Sequence, residues 1–221
     1  MISFDTSAII KSLPELYEGL EFTLLLVFTS LAAGTLIGLL ACMGRLSGRA
    51  LLAWLCATYT TVFRGIPEVV LMFWIYYCAP LLGGVRPSSL IAALVAMSLY
   101  VGALLSEVFR GGILAVPKGQ VEAARSLGVP EFWIWTSVIL PQAFRVVIPA
   151  LIGVAALTVK VSGIASTIGV TDLVYQANVI AGQSYRYFEL FTAVGVFYFL
   201  ILFPMSMMAR IYERKLAARS R

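Results

Sequence analysis

Long hydrophobic runs separated by short polar segments define this chain from residue 20 onward. Three of the runs carry no charge, and they are Phe22–Gly44, Pro87–Ser106 and Leu190–Ala209. Each reaches the roughly 20 residues that a helix needs to cross about 30 Å of hydrocarbon. The pattern therefore predicts three plain transmembrane helices. Gly34 and Gly38 in the first run form a small-xxx-small pair, which favours close packing against another helix.

Two further apolar regions are interrupted by proline and by charge. The first, Ala50–Val85, contains Arg64, Pro67 and Glu68. As one straight helix it would be about 50 Å long, which is too long for a single perpendicular span. Proline removes a backbone donor and disfavours the helical conformation of the residue before it. The sequence therefore predicts a bend at Pro67.

The second interrupted region is Val146–Val170, which contains Pro149 and Lys160. With it the count reaches five transmembrane helices in one all-α integral membrane domain, residues 1–221. The first helix is expected to follow an outside segment, residues 1–19, which forms a short interfacial helix ending near Gly19. A glycine pair, Gly111 and Gly112, is expected to close the third transmembrane helix.

Composition supports a membrane protein and narrows its chemistry. The 221 residues are 61% hydrophobic, and the mean hydropathy of +0.95 is far above that of a soluble domain. Histidine is absent, so a histidine-based catalytic or metal site is excluded. The three cysteines have no metal-ligand spacing and are best explained as packed thiols, and no metal is expected.

The net charge of +5 is concentrated at one side of the predicted membrane. Eleven of the sixteen cations lie there: Arg45, Arg49, Arg110, Lys118, Arg125, Arg145, Arg210, Arg214, Lys215, Arg219 and Arg221. Because cytoplasmic loops carry the excess of Lys and Arg, this side is the cytoplasm, the N-terminus is outside and the C-terminus is cytoplasmic. Anionic membrane lipid is a sufficient partner for these cations, and no nucleic acid is required.

The segment from Pro117 to Pro141, hereafter loop 117–141, is the long polar stretch of the chain. Strong helix formers predict a first helix over Lys118–Leu127. Gly128 follows at the position where a left-handed residue ends a helix, and Pro130 comes two residues later. Loop 117–141 is therefore structured, and it begins with a short helix that has defined ends.

Pro130 also predicts the start of a second helix, which runs to about Ile139 and is ended by Pro141. Large side chains are concentrated in it: Phe132, Trp133, Ile134 and Trp135. Aromatic residues prefer the headgroup level of a bilayer. The second helix is therefore expected to lie along the inner membrane surface, with the first helix projecting into the cytoplasm.

Loop 117–141 also carries a spaced motif. Glu122-Ala123-Ala124 is followed after three residues by Gly128, and after nine more by Val138-Ile139-Leu140-Pro141. This pattern resembles the EAA loop of the membrane subunits of bacterial ABC importers. Further segments resemble the polar amino-acid and opine uptake branch, the histidine/glutamine/arginine-type permeases: Arg64-Gly65-Ile66-Pro67, Glu107-Val108-Phe109-Arg110-Gly111-Gly112-Ile113, Pro117-Lys118-Gly119-Gln120 and Leu140-Pro141-Gln142-Ala143-Phe144-Arg145.

The resemblance implies a type I ABC importer permease in a bacterial inner membrane, with loop 117–141 as its two-helix coupling loop. It implies pairing with an identical or paralogous permease, two ATP-binding subunits below and an extracytoplasmic solute-binding protein above. ATP and Mg would be bound by the ATPase, and this chain would bind no cofactor. The residues that contact the ATPase would be Glu122, Ala123, Ala124 and Gly128.

Charges inside predicted spans are costly and usually face a cavity, a partner or water. Arg64 and Lys160 both lie roughly 20 Å from the cytoplasmic end if their helices are straight, and Glu68 follows Arg64 by four residues. In one interpretation Arg64 and Glu68 form an intrahelical pair and Lys160 caps carbonyls or snorkels. In the other, Arg64 or Lys160 receives a substrate carboxylate and Glu68 its ammonium group. Ser162 completes the set of pathway candidates.

The chain departs from its relatives directly after Lys160. Where many of them have Asp-Thr-Ser-Leu, this chain has Val161-Ser162-Gly163-Ile164. The difference indicates either a different ligand or a main site that the partner subunit holds.

The sequence thus predicts a transport subunit, with ATP hydrolysis on a separate subunit and a polar amino-acid-like substrate. It has no Gly-x-x-x-x-Gly-Lys-[Ser/Thr] phosphate loop of its own. An ion-coupled secondary carrier or a channel subunit would also explain Arg64, Glu68 and Lys160, but it would not require the structured loop. An intramembrane enzyme is disfavoured because no nucleophile constellation or paired-carboxylate motif is present.

Overall fold

A computed structural model of the chain describes residues 6–219, which form helices and no strands. In this range the helices are α1 (Thr6–Leu46), α2 (Ala50–Gly65), α3 (Glu68–Gly83), α4 (Ser89–Leu114), α5 (Lys118–Ser126), α6 (Glu131–Ile168), α7 (Leu173–Ser184) and α8 (Tyr187–Arg219). Four of them, α1, α4, α6 and α8, are long and apolar enough to cross a membrane. The predicted total of five spans is reached only if α2 and α3 are counted together as one broken span.

The bend predicted at Pro67 is confirmed. Helices α2 and α3 meet at an angle of 105°. Ile66 ends α2 in an extended conformation, with φ of −87° and ψ of 131°, as expected for a residue before proline. The two halves of the region therefore point in very different directions.

Helix α4 is the most buried of the four spanning helices, and it packs against α1, α2 and α6. The close approach predicted for Gly34 and Gly38 occurs on the face of α1 that meets α4. A Cβ atom on Gly38 would lie 2.9 Å from the Leu105 Cβ and 3.0 Å from the Gly102 carbonyl oxygen. The two glycines therefore allow the backbones of α1 and α4 to meet almost without intervening side chains.

The predicted break near Gly19 is wrong, since α1 continues through it without interruption. Gly19 is a packing position instead. A Cβ there would lie 2.8 Å from the Leu173 Cα and 2.9 Å from the Asp172 carbonyl oxygen. The first part of α1 forms a second apolar cluster with α7 and the start of α8, in which Leu16, Leu173 and Leu190 are fully buried.

The predicted end of the third transmembrane helix at Gly111 and Gly112 is also wrong. Helix α4 continues to Leu114. Gly112 is buried, and a Cβ on it would collide with the Val147 side chain of α6 and lie 3.2 Å from the Ala143 carbonyl oxygen. This glycine therefore brings α4 and α6 together.

A third correction concerns Pro141, which does not end the second helix of loop 117–141. That helix passes through a π-helical turn, Ile134–Ile139, and continues through Pro141 as the transmembrane helix α6. Pro141 stands in the first turn of the α-helical part, where a missing N–H is tolerated. The side-chain amide of Gln142 donates a hydrogen bond to the Val138 carbonyl at 2.8 Å.

Candidate functional site

Helix α5 forms as the sequence predicts, and it ends within one residue of the expected position. Pro117 directly precedes it, and none of its residues is buried. Gly128 adopts the predicted left-handed conformation, with φ of +71°. The N–H groups that follow the helix satisfy its last carbonyls, with Gly128 donating to Arg125 at 2.9 Å and Val129 to Ala124 at 3.1 Å. This is the hydrogen-bonded end that a glycine permits.

Polar contacts fix α5 to α6 on either side of the Gly128 turn. The Arg125 Nε donates to Glu131 Oε1 at 2.6 Å, and this ion pair raises the pKa of Arg125. The Gln142 side-chain amide reaches the Gln120 Oε1 at 2.6 Å. Both contacts are exposed, so they orient α5 more than they stabilise it.

An apolar cluster lies beneath these polar contacts. Its buried members are Val116, Ile134 and Ile139, and the side chains packed against them include Val121, Ala124 and Val129. Helix α5 is amphipathic as a result. One face rests on the start of α6 and the other, with Glu122 and Ala123, is exposed.

The free surface of loop 117–141 is rich in large apolar side chains. Leu127 is 82% exposed and Phe132 is 69% exposed. Leu127 follows directly on α5, and Phe132 lies at the start of α6. The sequence interpretation treated Leu127 only as a helix former, and its exposure is seen only in the folded chain.

The proposed pair between Arg64 and Glu68 does not form among the described residues. The 105° bend at Pro67 separates them, so the spacing of four residues no longer places their side chains on one helix face. Glu68 interacts with Tyr100 of α4, and Arg64 also acts on Tyr100 through its charge. Arg64 remains 45% exposed and lies with its Nη1 3.7 Å from the Glu107 Oε1.

Glu107 is a charged centre that the sequence interpretation missed. It binds Arg45 of α1 through Oε1, and its Oε2 accepts from the Arg110 Nη2 at 2.7 Å and Nε at 3.0 Å. Arg45 also donates to the Thr60 hydroxyl of α2 at 3.3 Å. The Glu107-Arg110 spacing was available in the sequence, but only the folded chain shows which arginines of α1 and α2 face it.

Lys160 and Ser162 lie near the end of α6. Lys160 is exposed and has no ion-pair partner in the described part of the chain. Ser162 is fully buried, and its hydroxyl donates to the Val159 carbonyl at 2.8 Å. The turn that follows, Gly163–Ile168, packs against the first residues of α3. The structure thus brings the ends of α6 and α3 together, but it shows no contact between Lys160 and Arg64 or Glu68.

Comparison with known proteins identifies the class. The family of binding-protein-dependent transport system inner membrane components matches residues 24–218, and the chain belongs to this family. A probable amino-acid ABC transporter permease protein of Bacillus subtilis, YckA, is 36% identical over 214 residues, covering 97% of this chain and 94% of that protein. The arginine transport system permease protein ArtQ of the same organism is 34% identical over 215 residues, covering 97% and 98%.

A solved structure agrees over almost the whole chain. An amino acid ABC transporter, crystallised with histidines, superimposes with a TM-score of 0.90 at 33% identity, covering 97% of this chain and 100% of the other. The predicted family and the all-α membrane fold are therefore confirmed.

Proposed function

We propose that this chain forms half of the translocation pathway of an ATP-driven importer for a polar amino acid or an amino-acid-like, opine-type solute. The observation that carries the proposal is the geometry of loop 117–141. An exposed short helix is held firmly on the start of a transmembrane helix and presents Glu122 and Ala123 outward. The solute class follows from the relatives, which are named as amino-acid and arginine permeases.

The proposed assembly has two permease subunits, identical or paralogous, and two ATPase subunits beneath loop 117–141. ATP and Mg are bound there, and a solute-binding protein delivers the solute from the other side. The distribution of Lys and Arg supports a cytoplasmic loop 117–141 and C-terminus, with the N-terminus outside. The spanning helices expose apolar faces that suit contact with lipid; on α8 they include Phe199 and Leu200, which are 60% and 62% exposed.

The route from the ATPase to the pathway is one continuous helix. Residues Glu131–Ile168 form 38 consecutive helical positions, which include the π-helical turn Ile134–Ile139 and the final turn Gly163–Ile168. Arg125 and the buried cluster around Ile134 fix α5 to the start of α6. A displacement of α5 is therefore passed to the far end of α6. That end carries Lys160 and contacts α3, which begins at Glu68.

The proposed solute contacts follow from charge. A free amino acid has a carboxylate and an ammonium group, so Arg64 or Lys160 is suited to the first and Glu68 to the second. Lys160 and Arg64 are exposed in the single subunit and Glu68 is partly so, which leaves each of them open to a solute. Ser162 is enclosed in this conformation, so it would reach a solute only after a movement of α6.

A complementation experiment tests the assignment. A strain that lacks this chain receives the wild type, Glu122→Ala, or the matched control Glu18→Ala, which also removes an exposed carboxylate but lies near the other end of the bundle. We measure uptake of a radiolabelled pool of the proteinogenic amino acids, and recovery of ATPase subunits with the tagged chain. Glu122→Ala should lose both and Glu18→Ala should keep both. Uptake that persists without a bound ATPase would instead indicate a secondary carrier.

A second experiment tests the solute contacts. Lys160→Ala and Glu68→Ala are expressed at the wild-type level, with Lys11→Ala as the matched control for loss of an exposed cation. We expect at least a tenfold loss of uptake in the first two variants and no change in the third. Unchanged concentration dependence in both pathway variants would remove Lys160 and Glu68 from the site.

A further inference from the structure

Glu107 divides its two carboxylate oxygens among three arginines from three helices. Oε2 belongs to Arg110 of the same helix, in two hydrogen bonds. Oε1 is shared by Arg45 of α1 and Arg64 of α2. One carboxylate therefore serves three guanidinium groups, and the cluster carries an excess of positive charge.

The three arginines are not held equally. Arg45 is the most enclosed, with 19% of its side chain exposed, and Arg110 is hydrogen-bonded through two of its nitrogens. Arg64 is 45% exposed, and its 3.7 Å separation from Oε1 is an ion-pair distance beyond the range of a hydrogen bond. Arg64 is therefore the partner that another carboxylate can most easily draw away.

The cluster lies between the two regions that transport must connect. Glu107 is about two turns before Leu114, where α4 ends, and α5 begins at Lys118. On the other side, Arg64 stands in the last turn of α2, just before the bend at Pro67. Glu107 belongs to α4, and its contacts with Arg45 and Arg110 hold the carboxylate in place, so it moves with α4.

We propose that Glu107 is a positioning residue that couples loop 117–141 to the pathway, because it holds Arg64 and the bend at Pro67 in the resting conformation. The inference rests on the proposed function, in which ATP hydrolysis drives uptake. When a solute carboxylate draws Arg64 away, Glu107 keeps only Arg45 and Arg110, and the ion pair that joins α4 to the last turn of α2 is lost. The equilibrium then shifts toward the conformation in which α5 activates the ATPase.

The test separates this role from a purely structural one by comparing two activities. Variants Glu107→Gln and Arg64→Gln remove the ion pair between Arg64 and Glu107. Arg64→Lys keeps the positive charge at position 64, and Arg49→Gln is the matched control, because it removes a cation outside the cluster. For each, we measure uptake of the radiolabelled amino-acid pool in the deletion strain. We also measure basal ATP hydrolysis by the complex purified through a tag on this chain and reconstituted in liposomes.

We expect both Gln variants to lose uptake at least tenfold while basal ATP hydrolysis rises at least threefold, because the resting conformation is no longer favoured. Arg49→Gln should stay within twofold of the wild type in both assays, and Arg64→Lys should keep basal ATP hydrolysis below that of Arg64→Gln. A structural role would instead lower uptake and hydrolysis in parallel, and that result would overturn the inference, as would two unchanged activities.

If Glu107→Gln does not assemble, Arg64→Gln still gives a result. Arg64 is half-exposed at the end of a helix, so its replacement should not prevent folding. A wild-type complex without ATP-dependent uptake would refute the proposed function and the inference with it. A wild type with normal uptake, combined with Gln variants of normal coupling, would refute the inference alone.

Discussion

The Thr23 hydroxyl of α1 accepts a hydrogen bond from the backbone N–H of Leu173 at 3.1 Å, although the two residues are 150 positions apart. The same hydroxyl donates to the Gly19 carbonyl at 3.1 Å. Both Thr23 and Leu173 are fully buried. The contact satisfies an N–H at the start of α7 that has no partner within its own helix, and it fastens α7 to α1.

Thr23→Val keeps the shape of the side chain but removes the acceptor. The Leu173 N–H is then buried without a partner, which should cost about 1–3 kcal/mol of unfolding free energy. The measurement is the melting temperature of the purified chain in detergent. Thr29→Val is the matched control, because the Thr29 hydroxyl is exposed and donates only to carbonyls of its own helix; equal destabilisation by both variants would contradict the assignment.

Asp172, the residue before α7, gives the fold a dependence on pH. Its Oδ1 accepts from the Tyr175 N–H at 2.9 Å, but its Oδ2 is buried without a partner in the described structure. Burial raises the pKa of Asp172 to about 7, from 3.8 in the unfolded chain. Between about pH 4 and 7 the unfolded chain loses the proton while the folded chain keeps it. The free energy of unfolding therefore falls as pH rises through this window, by up to about 4 kcal/mol.

Asp172→Asn should remove this dependence while keeping the cap, since an amide oxygen can also accept from the Tyr175 N–H. We expect the variant to melt higher than the wild type at pH 8, and the difference to shrink as pH falls toward 4. Melting curves of both proteins across this range give the measurement. A constant difference at every pH would mean that the Asp172 carboxyl does not titrate in this window.

Gly38→Ala tests the contact between α1 and α4. The new methyl group would lie closer to the Leu105 Cβ and the Gly102 backbone than van der Waals contact allows. The helices would have to move apart, which should lower the free energy of unfolding by about 1–3 kcal/mol. Gly153→Ala is the matched control, since nothing lies within 4 Å of a Cβ at Gly153 and alanine is the better helix former. The prediction fails if the two variants have the same melting temperature.

Gly128 tests the shape of loop 117–141. Its φ of +71° costs a residue with a Cβ about 1–2 kcal/mol, and more for a β-branched residue. Gly128→Val should therefore reorient α5 and lose most ATPase binding and amino-acid uptake, while Gly128→Asn should keep much of both. The two variants are compared by recovery of the ATPase with the tagged chain; equal recovery would show that the left-handed turn is dispensable.

Loop 117–141 was predictable because its signals are local. The φ of Gly128 and the start of α5 after Pro117 depend on residues within one or two turns, and the sequence contains them all. The roles of the glycines in the spanning helices were harder to predict. Gly19 and Gly112 look like helix ends in the sequence, but they are places where another helix approaches, and only the folded chain shows which helix that is.

The charged residues illustrate the same limit. The spacing of Arg64 and Glu68 indicates a pair only while the helix is straight, and the bend at Pro67 separates them. The partner that Arg64 meets, Glu107, comes from a different helix. Sequence spacing therefore identified which charges need an explanation, but not which of them meet.

The π-helical turn at Ile134–Ile139 also bears on how this chain can change in length. A π turn closes with one residue more than an α turn, so it holds a surplus residue without altering the helix beyond it. A one-residue deletion inside this turn can be absorbed by conversion to α-helix. The same deletion in the regular helix between Pro141 and Lys160 would rotate one end against the other by about 100°. Single-residue deletions in natural or engineered versions of α6 should therefore be tolerated at the π turn and excluded from the helix that follows.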